Sequence, residues 1–232
     1  MTLLDLPIPK TRKRRPPRAA GQPRRRRPVA VRPRPKVRLT VDQYHRMIKL
    51  GVLEEGVPIE LLDGQLVWKD RSASGADPMT VGDQHTWVIE AANDLNPKFN
   101  RQGCYARIQQ PVTLPPHHEP EPDVLIVRGS RTDYAGRKPS PADVLCVIEV
   151  ADSSLARDRG RKLKIYANAG LPLYVIFNLP DRSAEVYEEP VVGRGRYARS
   201  TTFSLRDKLT FPTAKGKGVT VTVKSLMPPD AG

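Results

Sequence analysis

The sequence predicts a mixed α/β fold, a central β-sheet flanked by helices, preceded by a basic arm without fixed structure. Three observations predict it. Apolar runs of strand length alternate with apolar stripes at helical spacing from about Leu39 onward. The run VLCVIEVA (144–151) reads as a buried strand and leads directly into helix-forming sequence. The positive charge is segregated into the first 38 residues, leaving a near-neutral body of a size suited to one core.

The charge segregation is steep. The 232-residue chain has a formal net charge of +14, and residues 1–38 hold 14 of its 39 lysines and arginines against one acid, Asp5. The remainder carries 25 basic and 24 acidic residues. Eight prolines lie between Pro7 and Pro35. Like-charge repulsion and the shortage of apolar side chains argue against a packed core there. Two readings of the arm stay open: its segment 10–38 neutralises nucleic-acid phosphates, or it is a solvated tail with no specific role. It has no apolar segment of a secretory signal. No apolar run of about 18 residues exists, so no membrane span is expected. The two cysteines, Cys104 and Cys146, form neither a disulfide framework nor a zinc spacing and are expected to be reduced core thiols. These features fit a cytoplasmic bacterial protein, with the arm allowing association with the nucleoid.

The elements follow in order. Thr40 with Gln43 three residues on is a capping-box pattern, predicting a helix to about Leu50 with Gly51 as its stop. IELLDGQLVWK (59–69) predicts two short strands turning at Asp63-Gly64. After a polar stretch to about Pro78, the residues Val81, Val88, Ala91, Ala92 and Leu95 predict a helix over 80–95, ended by Asn96-Pro97. Strands are expected at 104–114, 123–128 and 143–151, then a helix from about Ala156 to Ala169 closed by Gly170. Strands at 173–179 and 184–188, a Gly-rich turn at 193–195 and short strands toward 223 complete a domain of 39–228, with 229–232 as a tail.

Two strands carry a carboxylate where an apolar residue belongs. Glu149 interrupts the run 144–151, and Asp123 opens the strand after Pro122. Their separation of 26 positions allows adjacent strands joined by the loop 129–142. Two acids in a low-dielectric site repel each other unless a cation lies between them, and oxygen-only donors suit Mg²⁺ or Mn²⁺. In the following helix Asp158, Lys162 and Tyr166 share one stripe, so Lys162 can reach a neighbouring carboxylate while Arg157, Arg161 and Lys164 point outward. An acid–acid–lysine cluster is the equipment of metal-dependent phosphodiester hydrolysis. The alternative is a structural ion pair between Glu149 and Lys162 with no chemistry.

The segment EVADSSLARDRGRKLKIYANAGLPLYVIFNL (149–179) resembles the Uma2 family (DUF820) of restriction-endonuclease-like proteins within the PD-(D/E)XK nuclease superfamily. IELLDGQLV (59–67), QPVTL (110–114), EPDVLIVRG (121–129) and VTVKSLMP (221–228) support it in the same order. The resemblance implies a restriction-endonuclease-like fold and a Mg²⁺- or Mn²⁺-dependent DNA endonuclease. It implies Asp123 and Glu149 as metal ligands, Lys162 as the catalytic lysine and Glu60 as an auxiliary acid. The superfamily's usual lysine position, two residues after the glutamate, is Ala151 here; Uma2 sequences resemble this chain in carrying the lysine on the next helix. DNA is the implied partner, and a homodimer is admitted.

Other features read more simply. Glu60 could equally be a strand residue facing water. Gln84 and His85 suit a partly exposed helix face. His117 and His118 sit in a Pro-rich loop with nothing to fix them as metal ligands. Asp158 reads as a first-turn acid favoured by the helix dipole, and Tyr166 as core. The competing function is a catalytically silent nuclease fold that serves as a nucleic-acid-binding or interaction module.

Overall fold

The computed structural model describes residues 37–54, 56–69 and 82–229. Most of the expected arm, the polar stretch that follows Lys69, Val81 and the last residues of the tail lie outside the described residues.

Helix α1 (Val41–Lys49) starts as its sequence dictates: Gln43 N–H donates to Thr40 Oγ1, and Thr40 N–H donates to Gln43 Oε1. Strands β1 (Ile59–Leu62) and β2 (Gln65–Trp68) pair antiparallel around Asp63-Gly64. Both turn residues are left-handed, at φ 51° and 69°, as a tight two-residue hairpin requires. Gly64 is needed a second time, because a Cβ there would stand 2.8 Å from Leu39 O. The turn is held from two sides: Leu39 N–H donates to Gly64 O, Gly64 N–H to His117 O, and Asp63 N–H to His118 Nδ1 at 3.0 Å.

Helix α2 (Asp83–Asn93) matches the predicted stripe, but Asn96-Pro97 does more than end it. Proline at a first-turn position lacks only an N–H that would go unpaired anyway, and it opens a short helix α3 (Asn96–Arg101). Strand β3 (Cys104–Ile108) is shorter than expected. Gln109 turns to φ 46°, and Pro111 then has no N–H to give a ladder.

The main sheet has the order β3, β4 (Val124–Arg128), β5 (Val144–Ala151), β6 (Leu173–Asn178), β7 (Ser183–Val191) and β8 (Arg196–Phe203). Only β5 and β6 pair in parallel; the other neighbours are antiparallel. A parallel neighbour needs a crossover, and helix α4 (155–168) supplies it. A separate hairpin, β9 (Lys208–Phe211) with β10 (Val219–Thr222), follows. The predicted mixed α/β architecture is therefore the observed one.

All eight residues of β5 are buried, because both faces of the sheet are covered. Cys146, Ile148 and Val150 join a core with Val88, Ala92 and Phe99 of α2 and α3. Val147 and Ala151 join the other core, with Ile165 and Tyr166 of α4 and Tyr174 of β6. Alternation along the strand puts Glu149 on this second face, beneath α4. Cys104 and Cys146 are both free and buried. No helix among the described residues is long and apolar enough to cross a membrane.

Candidate active site

Strand pairing brings the two acids together. Val124 pairs with Ile148, so the residue preceding β4 comes up beside the end of β5 that carries Glu149. There Asp123 continues the ladder with its side chain, Oδ2 accepting the Val150 N–H at 2.8 Å. Its other oxygen stands 3.1 Å from His85 Nε2 on α2. Both carboxyl oxygens are thus engaged by a backbone amide on one strand and an imidazole on a helix.

Lys162 reaches the same place from α4. This helix is not regular: an α turn (Leu155–Arg157) passes into a π turn (Asp158–Lys162) before α geometry resumes (Leu163–Asn168). Gly160 lies at the centre of the wide turn, a form that recurs at functional sites. Asp158, Lys162 and Tyr166 all project into the buried side. Lys162 Nζ donates to Glu149 Oε1 at 2.8 Å, and the Tyr166 hydroxyl donates to the same oxygen at 2.6 Å. Among the described residues no hydrogen bond is made to Glu149 Oε2.

Glu60 supplies a third carboxylate. It is 1% exposed, its Oε2 accepts the Glu121 N–H at 3.2 Å, and Lys162 Nζ lies 3.9 Å from that oxygen. The hairpin carrying it is tied to α4 by Arg161, which bonds Asp63 Oδ2 at 2.9 Å and Leu62 O. Asp158 is a fourth buried acid and accepts the Ser154 hydroxyl. Glu60, Asp123, Glu149, Asp158 and Lys162 line one cavity of about 320 Å³, with His85 at its wall. Lys69, itself buried, also faces this cavity and is paired with Glu121 at 2.8 Å.

Burial sets the charge states. Burial pushes Glu149 up, and although Lys162 opposes this, the charges of Asp123 and Asp158 add to it, leaving Glu149 at about 8. Asp123 suffers the same burial, but His85, Lys162 and the Val150 N–H outweigh it and hold Asp123 at about 2. Burial disfavours the Lys162 ammonium, yet Glu149, Glu60, Asp158 and Asp123 together raise it, so it stays charged. Burial raises Asp158. The site therefore keeps one firmly ionised carboxylate, one ammonium and a glutamate whose proton affinity is raised.

Residues 41–224 match the family described as "Uma2: Putative restriction endonuclease". The chain belongs to the Uma2 family. In fold it is similar to a protein from Anabaena variabilis ATCC 29413 whose crystal structure is described as that of a putative nuclease belonging to DUF820. That likeness has a TM-score of 0.58 at 15% identity and covers 81% of this chain and 97% of the other. No functionally curated protein matches this Uma2 chain.

Within this Uma2 chain several simpler sequence readings are corrected. Glu60 does not face water: it lines the cavity beside Lys162, and its Oε2 accepts the Glu121 N–H. His85 is not merely a helix-face residue; it bonds Asp123. Asp158 is no surface dipole acid, and Tyr166 is core with its hydroxyl committed to Glu149. Arg161 does not point outward but ties α4 to the hairpin, and Arg157 lines the cavity; Lys164 is exposed as expected. His117 and His118 serve backbone geometry, bonding Leu39 O and the Asp63 N–H. The signal for His85 and Tyr166 was present, one as a polar residue in a helix facing the sheet, the other on the Asp158–Lys162 stripe. What sequence could not supply was the partner.

The donor set suits a divalent cation in kind: oxygen ligands only, with Glu149 raised by burial first and then by the charges of Asp123 and Asp158, which a cation would offset. Among the described residues, however, no three histidine, cysteine, aspartate or glutamate side chains are gathered closely enough to hold a metal ion. Asp123 and Glu149 are instead occupied by His85, Val150, Lys162 and Tyr166.

Proposed function

We propose that this chain is a Mg²⁺- or Mn²⁺-dependent endonuclease that hydrolyses DNA phosphodiesters. The observation that carries the reading is the arrival of Asp123, Glu149 and Lys162 in one cavity from two strands and a helix. Asp123 and Glu149 would hold the cation, which supplies Lewis-acid polarisation of phosphate and water. Asp123, which His85, Lys162 and the Val150 N–H keep ionised against its burial, would serve as the anionic ligand. Lys162 stabilises the charge that develops on the phosphoryl oxygens during in-line attack by water, with Glu60 as a second carboxylate 3.9 Å from the ammonium. Tyr166 fixes Glu149 against rotation. The products are a phosphate-bearing end and a free hydroxyl. In this reading the basic arm adds sequence-independent affinity for DNA.

A second reading has its own support. Glu149 is already neutralised by Lys162, and the described carboxylates are not gathered for a cation. That is what a silent nuclease fold acting as a binding module would look like. Purified protein assayed on supercoiled DNA with and without Mn²⁺ separates the two. The endonuclease reading requires nicking only with the cation, lost in Glu149→Ala and Lys162→Ala. Undiminished nicking in both variants, or no Mn²⁺ binding by calorimetry, would sink it.

A further inference from the structure

Helix α4 holds three arginines, and the fold uses them differently. Arg159 is spent on Glu185, its Nε and Nη2 bonding the two carboxyl oxygens at 2.9 and 2.6 Å. Arg161 is spent on the β1–β2 turn. Arg157 lines the cavity that contains Asp123, Glu149 and Lys162. Among the described residues it donates no hydrogen bond and closes no ion pair, and its Nε is buried without an acceptor. A guanidinium kept for the fold would be paired as its two neighbours are, since an unmet buried donor is unfavourable.

The cavity's charge says what Arg157 awaits. Its buried acids repel any anion that enters, and its other cations are engaged. Lys162 is held by Glu149 at 2.8 Å and Glu60 at 3.9 Å, and Lys69 by Glu121 at 2.8 Å. The His85 ring, a cation only when protonated, is committed as well, at 3.1 Å to Asp123. Among the described residues Arg157 is thus the cavity cation left to meet an incoming anion. A guanidinium presents parallel N–H groups that match two oxygens of a phosphate, a geometry an ammonium lacks.

We propose that Arg157 is a substrate-binding residue that grips the non-bridging oxygens of a DNA phosphodiester in this cavity. The proposal rests on the reading of the cavity as a phosphodiester site. It gives Arg157 a role distinct from Lys162, which is paired before substrate arrives. It also explains why, among the described residues, one arginine of the three makes no hydrogen bond or ion pair and feels only the charge of the adjacent Asp158.

Steady-state cleavage of labelled duplex DNA by the full chain with Mn²⁺ tests it. Arg157→Gln should raise KM at least ~10-fold and change kcat by less than about threefold, the pattern of lost binding. Arg157→Lys should recover only part of KM, because one ammonium cannot replace a fork. Mn²⁺ affinity by calorimetry and the melting temperature should match the unsubstituted chain; a purely structural role would lower the melting temperature and leave KM alone. Arg206→Gln, on an exposed arginine outside the cavity lining, should change nothing. Cleavage by Arg157→Gln with unaltered KM overturns the proposal. If the unsubstituted chain does not cleave, the hydrolytic reading fails by itself, and fluorescence anisotropy of the same duplex decides the phosphate contact. Arg157→Gln should then bind roughly fivefold or more weakly, with the salt slope reduced by about one. Equal affinity and slope overturn the contact as well.

Discussion

Lys162 Nζ stands 2.8 Å from Glu149 Oε1 although they lie 13 positions apart in sequence, and the bond crosses from a helix to the strand beneath it. Both groups are buried, so neither has water to fall back on. Removing one partner of such a pair typically costs about 3–5 kcal/mol. Lys162→Met should therefore lose stability of that order in urea denaturation. Adding Glu149→Gln to it should recover more than half of the loss, since the stranded carboxylate is gone while an acceptor remains for Tyr166. Neither variant should nick DNA. A Lys162→Met protein as stable as the parent would show that the pair contributes nothing to the fold.

Burial raises Asp123, and His85 is the leading influence that lowers it again, ahead of Lys162 and the Val150 N–H. His85→Ala leaves Asp123 Oδ1 without its 3.1 Å partner and free to turn. Loss of a residue that orients a metal ligand typically weakens affinity 10–100-fold. Calorimetric titration with Mn²⁺ should show a drop of at least ~10-fold in this variant. An unchanged affinity would remove His85 from the site.

Arg161 couples the hairpin to α4, and with it the position of Glu60. Arg161→Ala leaves the Leu62 carbonyl and Asp63 carboxylate without that donor, a loss of about 1–3 kcal/mol. The loss should be local: amide hydrogen exchange should speed up in β1 and β2 while the β5 amides keep their protection. Arg161→Lys should restore little, because a single ammonium cannot span both acceptors. Uniformly faster exchange across the sheet would mean the contact supports the whole domain instead.

Acid sensitivity should be traceable to the loop before β5. Arg137 holds the Asp143 carboxyl well below its usual 3.8, ahead of an opposing burial effect, and the Ser140 N–H and hydroxyl help to lower it. A carboxylate lowered on folding adds stability that is fully present above the unfolded value and is lost as pH falls through the folded one. The urea midpoint should thus fall as pH drops below about 4. Arg137→Ala should make that fall shallower, and an unaltered slope would rule the pair out as a contributor.

The basic arm is the simplest part to test. A chain lacking residues 1–36 should bind DNA more weakly at low salt, with a visibly flatter dependence of log affinity on log salt. Cleavage of a small phosphodiester, which the arm cannot embrace, should be unaffected. An unchanged salt slope would make the arm a bystander.

Much of the fold was legible because its signals are local. The Thr40–Gln43 box and the Asp63-Gly64 turn each depend on residues within a few positions, and each formed as read. The elements that departed from expectation did so where backbone geometry overrode apolar pattern. Gln109 ended β3 early, Pro97 opened a helix, and a π turn widened α4 around Gly160. For the site, Glu149 and Asp123 were conspicuous as acids in apolar strands, and Lys162 followed from helical spacing. Glu60 remained ambiguous because its burial comes from a loop about 60 residues away.

The sequence by itself determined most of the order of elements, the segregation of charge into the arm and the presence of two costly acids with a lysine within reach. Those follow from composition and spacing, which act over a few residues. Only the tertiary structure decided how each charge is used. Alternation along β5 and the pairing of β4 put Asp123 and Glu149 in one cavity, and packing of α2 gave Asp123 its histidine. Packing of α4 committed Tyr166 to Glu149, spent Arg159 and Arg161 on distant carboxylates, and left Arg157 facing the cavity. The physical reason is common to all of these: a buried charge is stabilised or penalised by what lies within a few ångströms of it, and those neighbours come from distant parts of the chain.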